Sequence, residues 1–309
     1  MKIVLAPMEG VVDHLMRDML TTIGGFDLCV TEFVRVVSTQ LPSKVFYRLC
    51  PELHNEGYTS NGTKVKVQLL GQDPYWLAKN AQTAIQLGSH GVDLNFGCPA
   101  KTVNKSKGGA VLLQYPDKLY DIVKAVRDAV PPEHEVTAKV RLGYDDTNLA
   151  VENAQAIESA GATSLVVHAR TKRDGYKPPA YWDWIAKIKQ HTSIPLIANG
   201  EIFSAADAQK CILQSQTSDI MLGRGALSMP NLANTIKHKH TPYTWEEVKE
   251  LLIKYSGYEI YSEKGLYYPN RIKQWFLYLK RQYPEAHDMF MQLRKYKTAD
   301  EIVAVLNQS

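Results

Sequence analysis

A chain of 309 residues with 36 basic and 32 acidic side chains carries a net charge of +4, too mild to announce a nucleic-acid or acidic partner by charge alone. With 45% hydrophobic and 22% charged residues, the composition excludes a disordered or collagen-like chain, and the length permits one large domain plus a small one. The four scattered cysteines (Cys29, Cys50, Cys98, Cys211) form no C-x-x-C pair and no metal-ligand spacing, so neither a disulfide framework nor a metal is expected. Neither a signal peptide nor an apolar run of membrane length is visible, and the expectation is a cytoplasmic protein with no membrane association.

Short β-branched and apolar runs recur along the chain with helical segments between them. Ile3–Pro7, Leu28–Phe33, Val65–Leu70, Val92–Phe96, Val136–Leu142, Ser164–His168, Pro195–Ala198 and Asp219–Leu222 read as eight strands, spaced as β-α units with right-handed crossovers require. Asp73-Pro74 sets a capping side chain before a proline at the first helical position, and Gly88 closes that helix. Leu77, Ala78, Ala81, Ala84 and Ile85 make its apolar face. Ser204 opens another helix and Gly161 ends a third. Eight such units in about 235 residues predict an α/β fold of the (β/α)8 TIM-barrel type. A doubly wound open sheet is the alternative, although no G-x-G-x-x-G follows the first strand. Past residue 240, Thr241-Pro242-Tyr243-Thr244 breaks the pattern, Thr244 and Glu247 have capping-box spacing, and helical periodicity takes over. The expected division is a barrel over 1–240 and an appended C-terminal helical domain over 241–309.

One stretch stands out for chemistry. Val92 to Phe96 alternates as a half-buried strand does, Gly97 permits a sharp turn, and Pro99 prevents the strand from continuing. Cys98 is thereby displayed on a stiffened loop at the carboxyl end of a strand. A buried structural thiol is the competing reading. In a barrel, active-site residues lie at the carboxyl ends of the strands. Those ends carry Ala6-Pro7-Met8-Glu9-Gly10, Glu32 to Arg35, Gln68, Asn95 to Cys98, Lys139-Val140-Arg141, His168 to Thr171, Asn199-Gly200-Glu201 and Gly223-Arg224-Gly225. Glycine turns after strands seven and eight commonly cradle a phosphate, and Arg224 adds a charge-assisted clamp. Lys139 lies on an otherwise apolar strand, and an inward lysine implies an anionic partner unless it snorkels at the rim. Gln68 suits the edge of a planar heterocycle or is a satisfied core glutamine. His168 could bind phosphate or donate to a substrate oxygen.

Ala6-Pro7-Met8, Asn95-x-Gly97-Cys98-Pro99, Lys101-x-Val103, Gly108-Gly109-Ala110, His168-x-Arg170-Thr171, Asn199-Gly200 and Gly223-Arg224-Gly225 occur in one order and spacing over essentially the whole chain. Together they resemble the tRNA-dihydrouridine synthases. Thr31 to Val37, Ala198 to Ile202 and Arg271-Ile272-Lys273-Gln274-Trp275 resemble the bacterial branch acting on uridine 16 of the D-loop. One departure is the loop Arg173-Asp174-Gly175-Tyr176, which lacks the glutamine that usually precedes the tyrosine.

The resemblance implies an FMN-dependent oxidoreductase that reduces the C5=C6 bond of a tRNA uridine with NADPH or NADH. Pro7, Met8 and Glu9 would line the isoalloxazine, Gln68 its polar edge, and Lys139 its N1/O2 side. His168, Asn199, Gly200, Glu201, Gly223 and Arg224 complete the implied cofactor site. Hydride would reach C6 from the reduced flavin, and Cys98 would protonate C5 from the opposite face. An ordinary thiol is protonated near neutral pH, as that role requires. Asn95 would hold the uracil edge. Arg35, Arg170, Tyr176, Arg271, Lys273 and Tyr278 are the expected RNA contacts.

From Arg271 to Lys297 seven basic residues face two acidic ones, and Ile272, Trp275, Phe276 and Leu279 form the core face of a predicted helix. The expected partner is tRNA at its D-loop, with no protein partner and a monomer. Two alternatives stay open: a uridine at position 20 or 17, or a small pyrimidine or enone as substrate. A third, a non-catalytic RNA-binding module, sits poorly with Cys98, Lys139 and Gly223-Arg224.

Overall fold

The alternation of Val-Asp-Leu-Asn-Phe sends Val92, Leu94 and Phe96 outward into a buried apolar layer and leaves Asp93 and Asn95 for the interior of a closed barrel. The structure, a computed structural model, describes residues 1–260 and 267–308. Eight strands, β1 (Ile3–Leu5), β2 (Leu28–Arg35), β3 (Lys64–Leu70), β4 (Val92–Phe96), β5 (Val136–Arg141), β6 (Ser164–His168), β7 (Leu196–Asn199) and β8 (Asp219–Leu222), pair in parallel in chain order. Closure comes from β1 against β8, with Ile3, Val4 and Leu5 opposite Ile220, Met221 and Leu222. The open-sheet alternative is thereby excluded. Strand bounds differ from the sequence reading by a few residues: Ala6 and Pro7 lie beyond β1, where proline has no N–H for a ladder, and β2 runs on to Arg35.

The barrel-bearing part carries α1 (His14–Ile23), α2 (Ser43–Leu49), α3 (Pro74–Gln86), α4 (Lys101–Lys105), α5 (Pro116–Ala129), α6 (Ala150–Ser159), α7 (Asp183–Lys189), α8 (Ala205–Ser215), α9 (Arg224–Ser228) and α10 (Leu232–His238). Local chemistry sets the ends of several. Asp73 accepts from the Trp76 N–H at 3.0 Å and Ser204 from the Asp207 N–H at 3.0 Å. The outward strand residues and the apolar helix faces form one large core, while Val4, Ala6, Leu28, Val30, Val166, Ile197 and Met221 form a small second one. Strands β3 to β5 instead bear Lys66, Gln68, Asp93 and Thr137 as buried polar groups. The polar side of the barrel is therefore where the site is built.

Helices α11 (Trp245–Ile260), α12 (Tyr268–Leu279), α13 (Glu285–Leu293) and α14 (Ala299–Gln308) follow. The capping box forms: the Thr244 N–H donates to Glu247 at 2.7 Å and the Glu247 N–H to Thr244 Oγ1 at 3.4 Å. Ile272, Trp275, Phe276 and Leu279 are buried, as the helical spacing requires. Trp275 donates its indole N–H to the Leu227 carbonyl at 3.0 Å, which fastens α12 to α9 beside the barrel mouth. Among the described residues, no helix is long and apolar enough to cross a membrane.

Candidate active site

A cleft of about 500 Å³ opens at the carboxyl ends of the strands. Its floor is a chain of side-chain amides. Asp93, fully buried, accepts from Thr137 Oγ1 at 2.6 Å and from Gln68 Nε2 at 2.7 Å. Gln68 Oε1 accepts from Asn95 Nδ2 at 2.8 Å, and Asn95 Oδ1 accepts the backbone N–H groups of Gly97 at 3.0 Å and Cys98 at 2.9 Å. Burial pushes the Asp93 carboxyl up, against the opposing Thr137 and Gln68 hydrogen bonds, and with Gln68 Nε2 donating to it the direction of each amide follows in turn. The last of them holds the Cys98 turn.

The carbonyl side of Cys98 is held as firmly. Asn104 Nδ2 donates to Cys98 O at 3.0 Å and to Ala100 O at 2.8 Å, and the Ala110 N–H reaches Cys98 O at 3.1 Å. Gly109 sits at φ +65°, where a Cβ would come within 2.9 Å of Cys98 O. Of the four free cysteines only Cys98 is partly exposed. Burial pushes its thiol above the ordinary range against the opposing N–H of Ala100, and the Glu9 carboxylate adds to the rise. The group is a protonated thiol at neutral pH.

Lys139 faces the same cleft, and its hydrogen-bond partner is the neutral Asn199 Oδ1 at 3.2 Å. Asn199 is oriented by donating to Met221 O at 2.8 Å. Burial, then the neighbouring Arg141, pushes the Lys139 ammonium down to about 8. Glu32 anchors the β1–α1 loop by accepting from the Gly10 N–H at 2.5 Å, and burial raises its carboxyl despite that bond. Gly200, at φ +117°, leads into Glu201, itself in the left-handed region at φ +56°. The Glu201 carboxylate accepts from Arg170 and lies 3.5 Å from Arg224 and 3.7 Å from Arg281. An anionic ligand at this turn therefore meets backbone and guanidinium, since the Glu201 side chain is already engaged.

Of the residues singled out from sequence, Pro7, Met8, Glu9, Gln68, Asn95, Cys98, Lys139, His168, Tyr176, Asn199, Gly200, Glu201, Gly223, Arg224 and Tyr278 all line the cleft. Tyr176 stands exposed at the rim, its ring centroid 5.2 Å from the Arg141 guanidinium and 5.0 Å from that of Arg224. Four others are not brought into the cleft. Arg35 donates to Ser106 Oγ at 2.7 Å beside the Cys98 loop, and Arg170 is fully buried, donating to Lys177 O at 2.6 Å. Arg271 pairs with Asp13 at 2.8 Å, and Lys273 donates to Tyr296 O. Sequence reasoning named Arg141 among the strand ends without giving it a role, and passed over Asp93. Arg141 donates to Gly97 O, Thr171 O and Gly175 O at 2.8–3.0 Å and thus joins the Cys98 turn to the Tyr176 loop. The available signal was parity: Arg141 is two residues from Lys139 and Asp93 two from Asn95, so each shares a face with its neighbour.

A closed parallel barrel with a thiol, a lysine and two glycine turns converging at its carboxyl face defines a (β/α)8-barrel enzyme. A profile of the dihydrouridine synthase (Dus) family matches residues 4–308, and the chain belongs to that family. It is 60% identical over 309 residues to a tRNA-dihydrouridine(16) synthase of Shewanella oneidensis, covering 100% of this chain and 98% of the relative. Likewise it is 56% identical over 308 residues to one of Vibrio vulnificus, at 99% and 97% coverage, and 50% identical over 307 residues to one of Escherichia coli O157:H7, at 99% and 97%. Among solved structures, a 2-naphthoyl-CoA reductase matches with a TM-score of 0.59 at 13% identity, over 77% of this chain and 50% of that one. An old yellow enzyme homologue from Zymomonas mobilis matches at 0.52 and 14%, over 79% and 90%. At such identities these two share the fold.

Proposed function

We propose that the chain is an FMN-dependent tRNA-dihydrouridine synthase acting on uridine 16 of the D-loop, with NADPH or NADH as reductant. The observation that carries the chemistry is the clamped, protonated Cys98 thiol facing the same cleft as Lys139. The cleft suits the cofactor on its own terms. Lys139 is enclosed with a neutral amide for a partner, a position that favours negative charge on a ligand. Gly200 and Gly223 leave room where a Cβ would press on His168 Cδ2 at 3.0 Å and Met8 Sδ at 3.3 Å. Pro7, Met8 and Glu9 with Gln68 and Lys139 would hold the ring system, and Asn199, Gly200, Gly223 and Arg224 the phosphate end.

When bound, the flavin supplies the two electrons and the hydrogen that saturate C6 of the pyrimidine. The protein's part is proton delivery and orientation. Cys98 donates its proton to C5, and the resulting thiolate recovers one from solvent through the open mouth. Asn95, with one amide N–H still available, donates to an acceptor on the base. Lys139 would favour negative charge on a flavin bound in this cleft. A base stacked in folded RNA cannot reach this floor, so the target must be splayed out past Tyr176 and Tyr278, and a loop nucleotide is the cheapest to extrude. The C-terminal helices, with their basic excess, are the proposed RNA-binding region.

Mapping dihydrouridine position by position in tRNA from cells lacking the gene tests the reading. Loss at position 16, restored by the wild-type gene, is expected. Loss at 17 or 20 instead would reassign the substrate, and an unchanged map would overturn the function.

A further inference from the structure

We infer that Arg170 locks His168 as a neutral imidazole with its proton on Nδ1, so that His168 serves the cleft as an uncharged hydrogen-bond donor and Arg170 is the positioning residue behind it. Arg170 Nη1 lies 3.5 Å from His168 Nε2. A guanidinium has donors and no acceptor, so Nε2 must present its lone pair, and the single proton of the neutral ring falls to Nδ1. Arg170 is held in place. It is fully buried, its Nε donates to Lys177 O at 2.6 Å, and its Nη2 donates to the Glu201 carboxylate. The imidazole edge is held too: a Cβ on Gly200 would come within 3.0 Å of Cδ2 and 3.4 Å of Nε2. With the Cδ2–Nε2 edge packed against this turn, the Nδ1–Cε1 edge is the one left for the cleft that His168 lines.

The charges around the ring point the same way. Lys139 and Arg141 from β5, Arg170 just beyond β6 and Arg224 after β8 all oppose a further positive charge. The carboxylate of this neighbourhood, Glu201 after β7, is engaged by Arg170 and Arg224, and the Tyr176 ring on the β6–α7 loop lies 6.0 Å away. Together with burial, they keep the imidazole neutral far below its ordinary range. Attraction for an anionic ligand thus comes from the arginines and Lys139, while His168 supplies direction, donating to an acceptor oxygen of the cofactor. That last step rests on the flavin reading; the tautomer does not.

Two measurements test the inference. Protein labelled with 15N-histidine, with and without FMN, is examined by long-range 1H–15N correlation, and His168 is assigned among the nine histidines from the spectrum of His168→Asn. Expected is an unprotonated nitrogen coupled to both ring carbon protons, the mark of a bare Nε2, with no titration between about pH 5 and 8. A protonated Nε2, or a midpoint near the free-imidazole value, would overturn the tautomer. Removing the guanidinium with Arg170→Met should mix the tautomers of a ring that burial, Arg141 and Lys139 still keep neutral; an unchanged tautomer would remove Arg170 from the role. The second measurement is FMN affinity by fluorescence quenching. Asparagine places its amide nitrogen where Nδ1 stood and glutamine reaches the Nε2 position, so His168→Asn should stay near wild type while His168→Gln loses about tenfold, the scale of one hydrogen bond. The reverse order would overturn the donor assignment. Failure of the wild type to bind FMN would defeat the proposed function and leave the tautomer result standing.

Discussion

Replacing Lys139 by methionine should stabilise the cofactor-free protein while weakening its hold on an anionic flavin. The ammonium is enclosed at the cleft floor beside Arg141, and its affinity for a proton falls from the ordinary lysine value of 10.5 to about 8. A folded-state value below the unfolded one means that the unfolded chain binds the proton more tightly. The penalty on the folded state is therefore fully present below pH 8 and is relieved as pH rises towards 10.5. A shift of that size corresponds to about 3 kcal/mol. Losing the hydrogen bond to Asn199 gives back ~1 kcal/mol. Methionine keeps the length and apolar stem, so a net gain of ~2 kcal/mol at pH 7 is expected by urea unfolding, shrinking steadily above pH 8. Comparing variant with wild type at each pH cancels the other titrating groups. Flavin affinity should fall roughly a hundredfold, because a ligand that restores the lysine's charge recovers most of the same free energy. A variant less stable than wild type at pH 7, or a stability difference flat with pH, would refute the argument.

Two further outcomes follow from the same geometry. Cys98→Ala should bind FMN and tRNA as wild type does, yet form dihydrouridine ~10²- to 10⁴-fold more slowly, the usual loss on removing a general acid. Because the protonated thiol is the active form and burial raises its pKa, the wild-type rate should hold through neutral pH and decline only in alkaline solution. Turnover near wild type in the variant would remove Cys98 from the mechanism. Arg271→Ala breaks the 2.8 Å pair with the buried Asp13, and ~2 to 3 kcal/mol of stability should be lost on chemical unfolding. Undiminished stability with a collapse of tRNA affinity would refute the structural role and assign Arg271 to RNA binding.

What the sequence disclosed follows the range of the interactions that encode it. The caps at Asp73, Ser204 and Thr244 depend on partners three residues away, and the strands on alternation within one segment, so both were legible. The cleft lining was legible for a topological reason: in a parallel barrel, chain direction alone decides which end of every strand meets the ligand. The four basic residues outside the cleft show the limit, because their partners within the chain were not legible. An arginine's role is set by what it touches, and Arg271 finds Asp13 at the other end of the chain, while Arg170 finds Glu201 across two strands. Asp93 escaped notice because its meaning depends on register, which sets Gln68 directly opposite it. No pattern along a single strand carries that pairing.

The cations of the cleft share a further property. Arg141 spends its donors on three backbone carbonyls, and Lys139 on a carboxamide oxygen. A guanidinium bound to a carboxylate is both satisfied and neutralised, whereas one bound to carbonyls is satisfied and keeps its charge. Among the groups facing His168, Glu201 is the exception, and it is shared by Arg170, Arg224 and Arg281. Fixed positive charge thus persists at the floor of a site whose proposed ligands are a flavin phosphate and a ribonucleotide, and it is held by backbone that cannot titrate. Such a field is insensitive to pH over the neutral range, except through Lys139. This is why the difference in the pH dependence of flavin binding between wild type and Lys139→Met, in which the ligand's own titration cancels, isolates the contribution of that one side chain.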